Sequence, residues 1–185
     1  MLSSQKNNTL MGGQGYIHVY TGNGKGKTTA ALGLAFRAMG RGLQCYIAQF
    51  MKGLEYGEIL AAAMVSSYIT IEQFGKKSPY HICGEPDEID KKMAQNGLNA
   101  ARQAMLSGNF NIIILDEIHV AHYYQLITTQ DLLDFIAIKP INIELILTGR
   151  YAAEEIIQAA DLVTDMREVK HYFQKGIVAR KGIDR

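Results

Sequence analysis

The chain has 185 residues, a length typical of a single domain. Nineteen Lys and Arg residues oppose eighteen Asp and Glu residues, so no overall charge attracts nucleic acid or an anionic membrane. Hydrophobic residues make up 48% of the chain, which excludes an intrinsically disordered protein. The first residues lack the apolar core of a signal peptide, and no segment approaches the roughly 20 apolar residues of a membrane span. We therefore expect a cytoplasmic protein that binds neither nucleic acid nor membrane.

Strand-like and helix-like segments alternate along the whole sequence. The predicted strands are 16–20, 43–50, 68–74, 112–115, 144–147 and 162–166, and the predicted helices are 27–39, 88–106, 129–138 and 152–160. Apolar strands between helices indicate a mostly parallel sheet with helices on both faces. The predicted fold class is α/β, in a single domain. We expect residues 15–185 to form this domain and residues 1–14 to be a flexible tail, with a lid over the ligand as its functional alternative.

A glycine-rich loop with the sequence Thr21-Gly-Asn-Gly-Lys-Gly-Lys-Thr28 follows the first predicted strand. Glycines let successive backbone N–H groups turn around phosphate oxygens, and the positive end of the next helix dipole points to the same place. Lys27 is predicted to bind phosphate oxygens, and the Thr28 hydroxyl to ligate Mg²⁺. The predicted ATP-binding residues are Gly22, Asn23, Gly24, Lys25, Gly26, Lys27, Thr28 and Thr29. The alternative, a plain glycine-rich turn, would not need Gly-Lys-Thr at the helix start. Together with the parallel sheet, this loop predicts a single-domain P-loop NTPase-like fold of the RecA-like type.

Two further polar clusters follow buried strands and therefore fall at the same edge of the sheet. Asp116 and Glu117 are predicted to hold Mg²⁺ with Thr28, directly or through water. Their structural alternative is an acidic helix N-terminus, where the helix dipole favours negative charge. Arg150 is predicted to pair with phosphate oxygens and to stabilise charge on a leaving group. Its alternative is a surface arginine at a helix start.

Two other features leave alternatives open. His119 and His122 lie one helical turn apart near two carboxylates, which raises a zinc site as a minor alternative to packing or ligand stacking with the neighbouring tyrosines. The segment 167–185 is rich in Lys and Arg and, taken alone, is predicted to be a solvated surface tail.

The motif Gly-Asn-Gly-Lys-Gly-Lys-Thr-Thr at residues 22–29 is much narrower than the general phosphate-loop pattern. It occurs together with matching segments at 49–53, 114–118, 147–150, 169–171 and 181–184. On these residues the chain from Gly15 onward resembles the ATP:corrinoid adenosyltransferases, the P-loop type of cob(I)alamin adenosyltransferase. Thr21 at the start of the loop is also what this family shows.

The resemblance implies an enzyme in which the Co(I) of a reduced corrinoid attacks the 5′ carbon of ATP and releases tripolyphosphate. Because cobalt is itself the nucleophile, no activated Ser, Cys or His is needed. Lys27 and Arg150 then become the catalytic residues, which hold the leaving group together with Mg²⁺. The resemblance also implies ATP and a corrinoid as substrates, corrinoid contact by Phe74 or Tyr80, a homodimer, and a partner reductase that acts on Co(II).

Two other functions fit the phosphate loop alone. A small-molecule kinase, of the nucleoside-kinase type, would also combine such a loop with a strand that ends in Asp-Glu, and it would release ADP instead of tripolyphosphate. A non-enzymatic ATP-dependent assembly module would need an oligomer interface or a basic nucleic-acid surface. The near-neutral charge of the chain gives that third reading little support.

Overall fold

The computed structural model describes residues 13–78 and 85–184. The strands in this part are β1 (Ile17–Thr21), β2 (Cys45–Phe50), β3 (Ile69–Phe74), β4 (Ile112–Asp116), β5 (Glu144–Thr148) and β6 (Leu162–Asp165). The helices are α1 (Lys27–Met39), α2 (Gly57–Met64), α3 (Glu88–Leu106), α4 (Ile118–Tyr123), α5 (Thr129–Ala137) and α6 (Glu154–Ala159), followed by a 3-10 turn at Tyr172–Lys175. These described strands form one sheet in the order β3-β2-β4-β5-β1-β6, and each neighbouring pair is parallel.

The central strands are buried on both faces of the sheet. Every residue of β2 and β4 is buried, and successive side chains point to opposite faces. On β4, Ile113 and Leu115 join the cluster formed with α3, α4, α5 and α6. Ile112 and Ile114 join the opposite cluster, which contains α1 and α2. The predicted α/β fold, with a parallel sheet and helices on both faces, is therefore confirmed.

Apart from shifts of one or two residues at strand and helix ends, the differences from the predicted elements concern three short helices that begin without a side-chain cap. α3 and α5 begin directly after capping boxes built on Asp87 and Thr128, and both start where predicted. The short helices α2 and α4 are absent from the predicted elements, and α6 starts two residues later than predicted. None of these three has a side-chain hydrogen bond at its N-cap, so the usual sequence signal for a helix start is missing.

The strand order determines which loops meet. β5 lies between β1 and β4 and pairs with both, so the carboxyl ends of these three strands are adjacent. Thr21, Asp116 and Thr148 are the last residues of β1, β4 and β5. Ligands of parallel α/β sheets bind beyond such ends. The predicted phosphate and metal residues therefore fall at one edge of the sheet.

Some predictions concern residues outside the described part of the chain. Residues 1–12, most of the predicted tail, are among them, and so is Tyr80. The proposed division at residue 15 thus stays a prediction. Within 13–78 and 85–184, no helix is both long and apolar enough to cross a bilayer.

Candidate active site

The loop between β1 and α1, residues 21–28, is called the phosphate loop below. Its backbone is tied to the chain that follows β6, because the Gly24 N–H donates to the Met166 carbonyl at 2.6 Å and the Met166 N–H donates to Thr21 at 2.9 Å. A Cβ on Gly24 would lie 2.6 Å from the Met166 carbonyl oxygen. Glycine at this position therefore permits a close backbone approach, which fixes the loop against the end of β6.

Lys27 is buried, with 7% of its surface exposed. Its Nζ donates to the carbonyl oxygens of Gly22 and Gly24, both at 2.7 Å. Burial lowers the pKa of Lys27, the nearby Glu117 carboxylate opposes this shift, and Arg150 adds to it. The ammonium thus lies across the phosphate loop and is held by neutral carbonyls, which an anionic phosphate oxygen can replace as the stronger acceptor.

Asp116 is the centre of a buried hydrogen-bond network at the end of β4. Its Oδ1 accepts from the Thr28 hydroxyl at 2.8 Å and from the Thr148 hydroxyl at 2.7 Å. Its Oδ2 accepts from Lys52 Nζ at 2.8 Å and from Gln49 Nε2 at 3.1 Å. Burial alone would raise the pKa of Asp116, but the Lys52 ammonium and the hydrogen bonds hold it below its ordinary value. The carboxylate therefore remains ionised and orients Thr28.

Non-glycine residues with positive φ cluster at this edge of the sheet. Of the four in the described ranges, Met51, Glu117 and Tyr151 come within three residues after β2, β4 and β5, with φ values of 58°, 63° and 65°. Such left-handed residues are strained by roughly 1–3 kcal/mol and persist where the surrounding structure holds them. The Glu117 N–H donates to the Thr148 hydroxyl at 3.0 Å, which helps to hold this turn. Strain at this edge is typical of a functional site.

A cleft of about 630 Å³ opens at these strand ends, within the usual range for ligand sites. Eight predicted site residues line it: Gly24, Lys25, Gly26, Lys27, Thr28, Thr29, Glu117 and Arg150. Asp116 is only 1% exposed and reaches the cleft through Thr28 and Lys52. The structure thus brings the predicted phosphate residues together with one carboxylate that faces the ligand and one that lies beneath it.

The opposite side of the cleft is formed by residues 171–184, which are called the C-terminal wall below. Asp184 accepts hydrogen bonds from Lys25 and from the Tyr172 hydroxyl, and Arg180 Nε lies 3.1 Å from its Oδ2. The Arg180 guanidinium also lies 4.7 Å from the centre of the Tyr172 ring. Most of this segment is exposed, as predicted for a surface tail, but it also folds back onto the phosphate loop and lines the cleft.

Other predicted residues lie elsewhere. Phe74 is half-buried, with its ring 6.4 Å from that of Phe50 and in close contact with Gly97 of α3. This packing places it beside the core, whereas the corrinoid contact proposed for it stays a prediction. Gly22 and Asn23 belong to the phosphate loop but are not among the residues that line the cleft.

The two histidines of the zinc alternative have separate surroundings. His119 is fully buried, and burial lowers its pKa to about 4, with a further contribution from His122 and an opposing one from the Leu147 carbonyl. His122 Nε2 lies 2.9 Å from the Thr129 hydroxyl. Among the residues the structure describes, no group of three His, Cys, Asp or Glu side chains is placed to hold a metal ion. The geometry thus gives zinc no support, and His119 acts as a packing residue.

Several residues at the cleft had no role assigned to them from the sequence, although Gln49, Lys52 and Thr148 lie in the matching segments 49–53 and 147–150. They are Lys52, Tyr56 and Glu58, which line the cleft, and Gln49 and Thr148, which bind Asp116. Lys52 and Thr148 each lie at or just after the carboxyl end of a strand, and this position was the available signal. For Tyr56 and Glu58 the sequence offered none, because the turn and helix that carry them were not predicted.

A family model described as ATP:corrinoid adenosyltransferase BtuR/CobO/CobP matches residues 13–184. The chain belongs to this family. Curated relatives named corrinoid adenosyltransferase include one from a Sinorhizobium species, with 34% identity over 92% of this chain and 80% of the relative. A relative from Pseudomonas aeruginosa has 32% identity over 92% of this chain and 84% of the relative. A relative from Escherichia coli K12 has 31% identity over 92% of this chain and 86% of the relative. The resemblance inferred from the sequence is therefore confirmed.

Two solved structures share the fold of this family member. The KaiC-like protein PH0186 from Pyrococcus horikoshii has a TM-score of 0.54 and 19% identity, and the match covers 90% of this chain and 80% of that one. The flagellar accessory protein FlaH from Methanocaldococcus jannaschii has a TM-score of 0.55 and 14% identity, and the match covers 88% of this chain and 77% of that one. At such identities the likeness concerns the fold alone. It agrees with the predicted P-loop NTPase-like class.

Proposed function

We propose that the protein transfers the 5′-deoxyadenosyl group of ATP to the Co(I) of a reduced corrinoid. The observation that carries this proposal is that Lys27, Thr28, Glu117 and Arg150 line one cleft. The chain that contains this cleft belongs to the ATP:corrinoid adenosyltransferase family. An electron pair of Co(I) forms the new bond to C5′, the C5′–O bond breaks, and its electrons remain on the oxygen of the departing tripolyphosphate. The products are an adenosylcorrinoid and tripolyphosphate.

The polar residues of the cleft suit a reaction in which charge develops on a leaving group. Lys27 lies across the phosphate loop, and its ammonium can replace its carbonyl contacts with phosphate oxygens. Arg150 makes no ion pair within the described residues and lines the same cleft, so its guanidinium is available to a second phosphate group. Preorganised cations of this kind lower the barrier because they stabilise the charge that forms on the leaving oxygen.

The donor set of the cleft also fits Mg²⁺. Hard oxygen ligands are what this ion prefers, and the Thr28 hydroxyl and the Glu117 carboxylate both line the cleft. We propose that these two residues hold the ion, with Asp116 orienting Thr28 through their 2.8 Å hydrogen bond. Mg²⁺ would neutralise part of the triphosphate charge when bound.

Further parts of the proposal concern partners. We propose that the corrinoid contacts Phe74 or Tyr80 and that the protein acts as a cytoplasmic homodimer. We also propose that a separate reductase supplies the Co(I). We expect no role for nucleic acid or membrane in this reaction.

The test is anaerobic incubation of the pure protein with MgATP and chemically reduced cobalamin. An alkylcobalamin spectrum that develops together with tripolyphosphate would support the proposal. Release of ADP, with no alkylcobalamin, would contradict it and return the chain to the kinase alternative. Lys27→Met serves as the inactive control in the same assay.

A further inference from the structure

Lys52 is a buried cation at the cleft that has no part in the function proposed above. It lies two residues after β2 and is 8% exposed. Its Nζ is 2.8 Å from Asp116 Oδ2 and 3.5 Å from Glu58 Oε1. It also lines the cleft, beside Lys27 and Arg150. A buried lysine that is ion-paired and faces a ligand cleft calls for a functional explanation.

The turn that carries Lys52 is held by close backbone contacts. Met51 has a φ of 58°, and its N–H donates to the Phe74 carbonyl at 3.0 Å. A Cβ on Gly53 would overlap the carbonyl oxygens of Gly75 and Lys76, so only glycine fits there. A strained residue on one side of Lys52 and a tightly packed glycine on the other fix the origin of its side chain. This is a built position and not a flexible surface lysine.

Asp116 has no acceptor position to spare in this arrangement. An ionised carboxylate offers about four lone-pair sites, and four donors occupy them: Thr28 and Thr148 on Oδ1, Lys52 and Gln49 on Oδ2. Of these four, Lys52 has a long flexible stem that can carry its charge to another acceptor. Release of Lys52 would free one Asp116 lone pair for a water molecule of a bound Mg²⁺.

We propose that Lys52 is a third phosphate-binding cation, which rests on Asp116 without nucleotide and moves to a phosphate oxygen of the triphosphate when MgATP binds. This inference rests on the proposed function, since it assigns one more residue to the same site. The exchange keeps both charges paired. Lys52 leaves one carboxylate for a polyanion, and a Mg²⁺ ion held by Thr28 and Glu117 would supply positive charge near Asp116 in return.

The first experiment is calorimetric titration of the full chain with tripolyphosphate in the presence of Mg²⁺. Lys52→Gln retains a hydrogen-bond donor for Asp116 but removes the charge. We expect its affinity for tripolyphosphate to fall about 10- to 150-fold, which corresponds to loss of a charged contact of about 1.5–3 kcal/mol. The matched control is Lys76→Gln, which also removes a lysine that pairs with two carboxylates, Asp87 and Asp90, but lies away from the cleft. Its affinity should stay within twofold of the wild type.

The outcomes separate this inference from the proposed function. Wild-type affinity in Lys52→Gln, or an equal loss in both variants, would overturn the role of Lys52 while the proposed function stands. Absence of any tripolyphosphate binding by the wild type would overturn both. A crystal structure of the wild type with Mg²⁺ and tripolyphosphate provides a test that needs no variant. Lys52 Nζ about 3 Å from a phosphate oxygen would support the inference, and Lys52 still on Asp116, with no phosphate oxygen in reach, would overturn it.

Discussion

The two sides of the cleft are built in different ways. The phosphate loop is made by consecutive residues between β1 and α1, and Lys27 binds Gly22 and Gly24 within it, while Met166 holds the loop from beyond β6. The C-terminal wall is held by contacts between residues far apart in sequence, since Lys25 and Asp184 are separated by 159 positions. The first side is recognisable from its local sequence motif. The second exists only in the complete fold.

This difference predicts how the two sides respond to substitution. The phosphate loop carries the groups that touch developing charge, so its variants should lose turnover and keep their stability. The C-terminal wall is more exposed and closes the cleft from outside, so its variants should weaken nucleotide binding and leave the chemical step largely intact.

The largest effect is expected for Lys27→Met. Its kcat/KM for adenosyl transfer should fall about 1000-fold, the upper range for loss of one preorganised charge-stabilising group. Lys139→Met is the matched control, because Lys139 Nζ also donates to backbone carbonyls, those of Gly15, Pro140 and Ile143. The control should lose stability in thermal unfolding but keep its rate. A Lys27→Met rate within tenfold of the wild type would remove the phosphate role.

Arg150→Ala should reduce kcat about 100-fold, because a guanidinium aimed at the leaving group is lost. Its thermal unfolding should match the wild type, since an exposed side chain contributes little to stability. Arg37→Ala, which removes an exposed arginine from α1, is the control for net charge. Equal rates in both variants would contradict the role of Arg150 in stabilising the leaving group and would favour an ordinary surface arginine.

The free energy of unfolding should also depend on pH, because His119 is fully buried. His119 stays neutral in the folded protein down to its pKa of about 4, whereas in the unfolded chain it binds a proton below about pH 6.5. The unfolded state therefore binds more protons in this window, and the free energy of unfolding falls as the pH drops from 6.5 to 4. At pH 5 the loss should be about 2 kcal/mol relative to pH 7.

Chemical unfolding at pH 7 and pH 5 measures this loss. His119→Leu should remove the His119 contribution, whereas His171→Asn on the C-terminal wall should keep it. The same decline in His119→Leu as in the wild type would show that other groups cause it.

The smallest effect is expected for Asp184→Asn. The variant loses the charge that pairs with Lys25 and Arg180, so the C-terminal wall should close less well. We expect the KM for ATP to rise about tenfold, which corresponds to a loss of about 1.4 kcal/mol of binding free energy. The kcat should stay within twofold of the wild type. Asp134→Asn, an exposed aspartate of α5, is the control. A fall in kcat at constant KM would show that the C-terminal wall affects the chemical step, and it would contradict the proposed difference between the two sides.

The sequence predicts those parts of the molecule whose cause is local. The strands and capped helices follow from apolar runs and from capping residues such as Asp87 and Thr128. The phosphate loop follows from its glycines and Gly-Lys-Thr. By contrast, α2 and α4 have no N-cap signal, and Lys52 acquires its partner Asp116 only when β2 and β4 pair. The C-terminal wall depends on Asp184 reaching Lys25, which no local pattern encodes.

The most direct test of the central claim follows the fate of C5′. ATP labelled with ¹³C at the 5′ carbon is incubated anaerobically with the protein, Mg²⁺ and reduced cobalamin, and the products are identified by ¹³C and ³¹P NMR. We expect the label to appear in a cobalt-bound methylene group, with one tripolyphosphate released for each. If the label stays on a nucleotide while ADP accumulates, the assignment of the cleft to adenosyl transfer is contradicted.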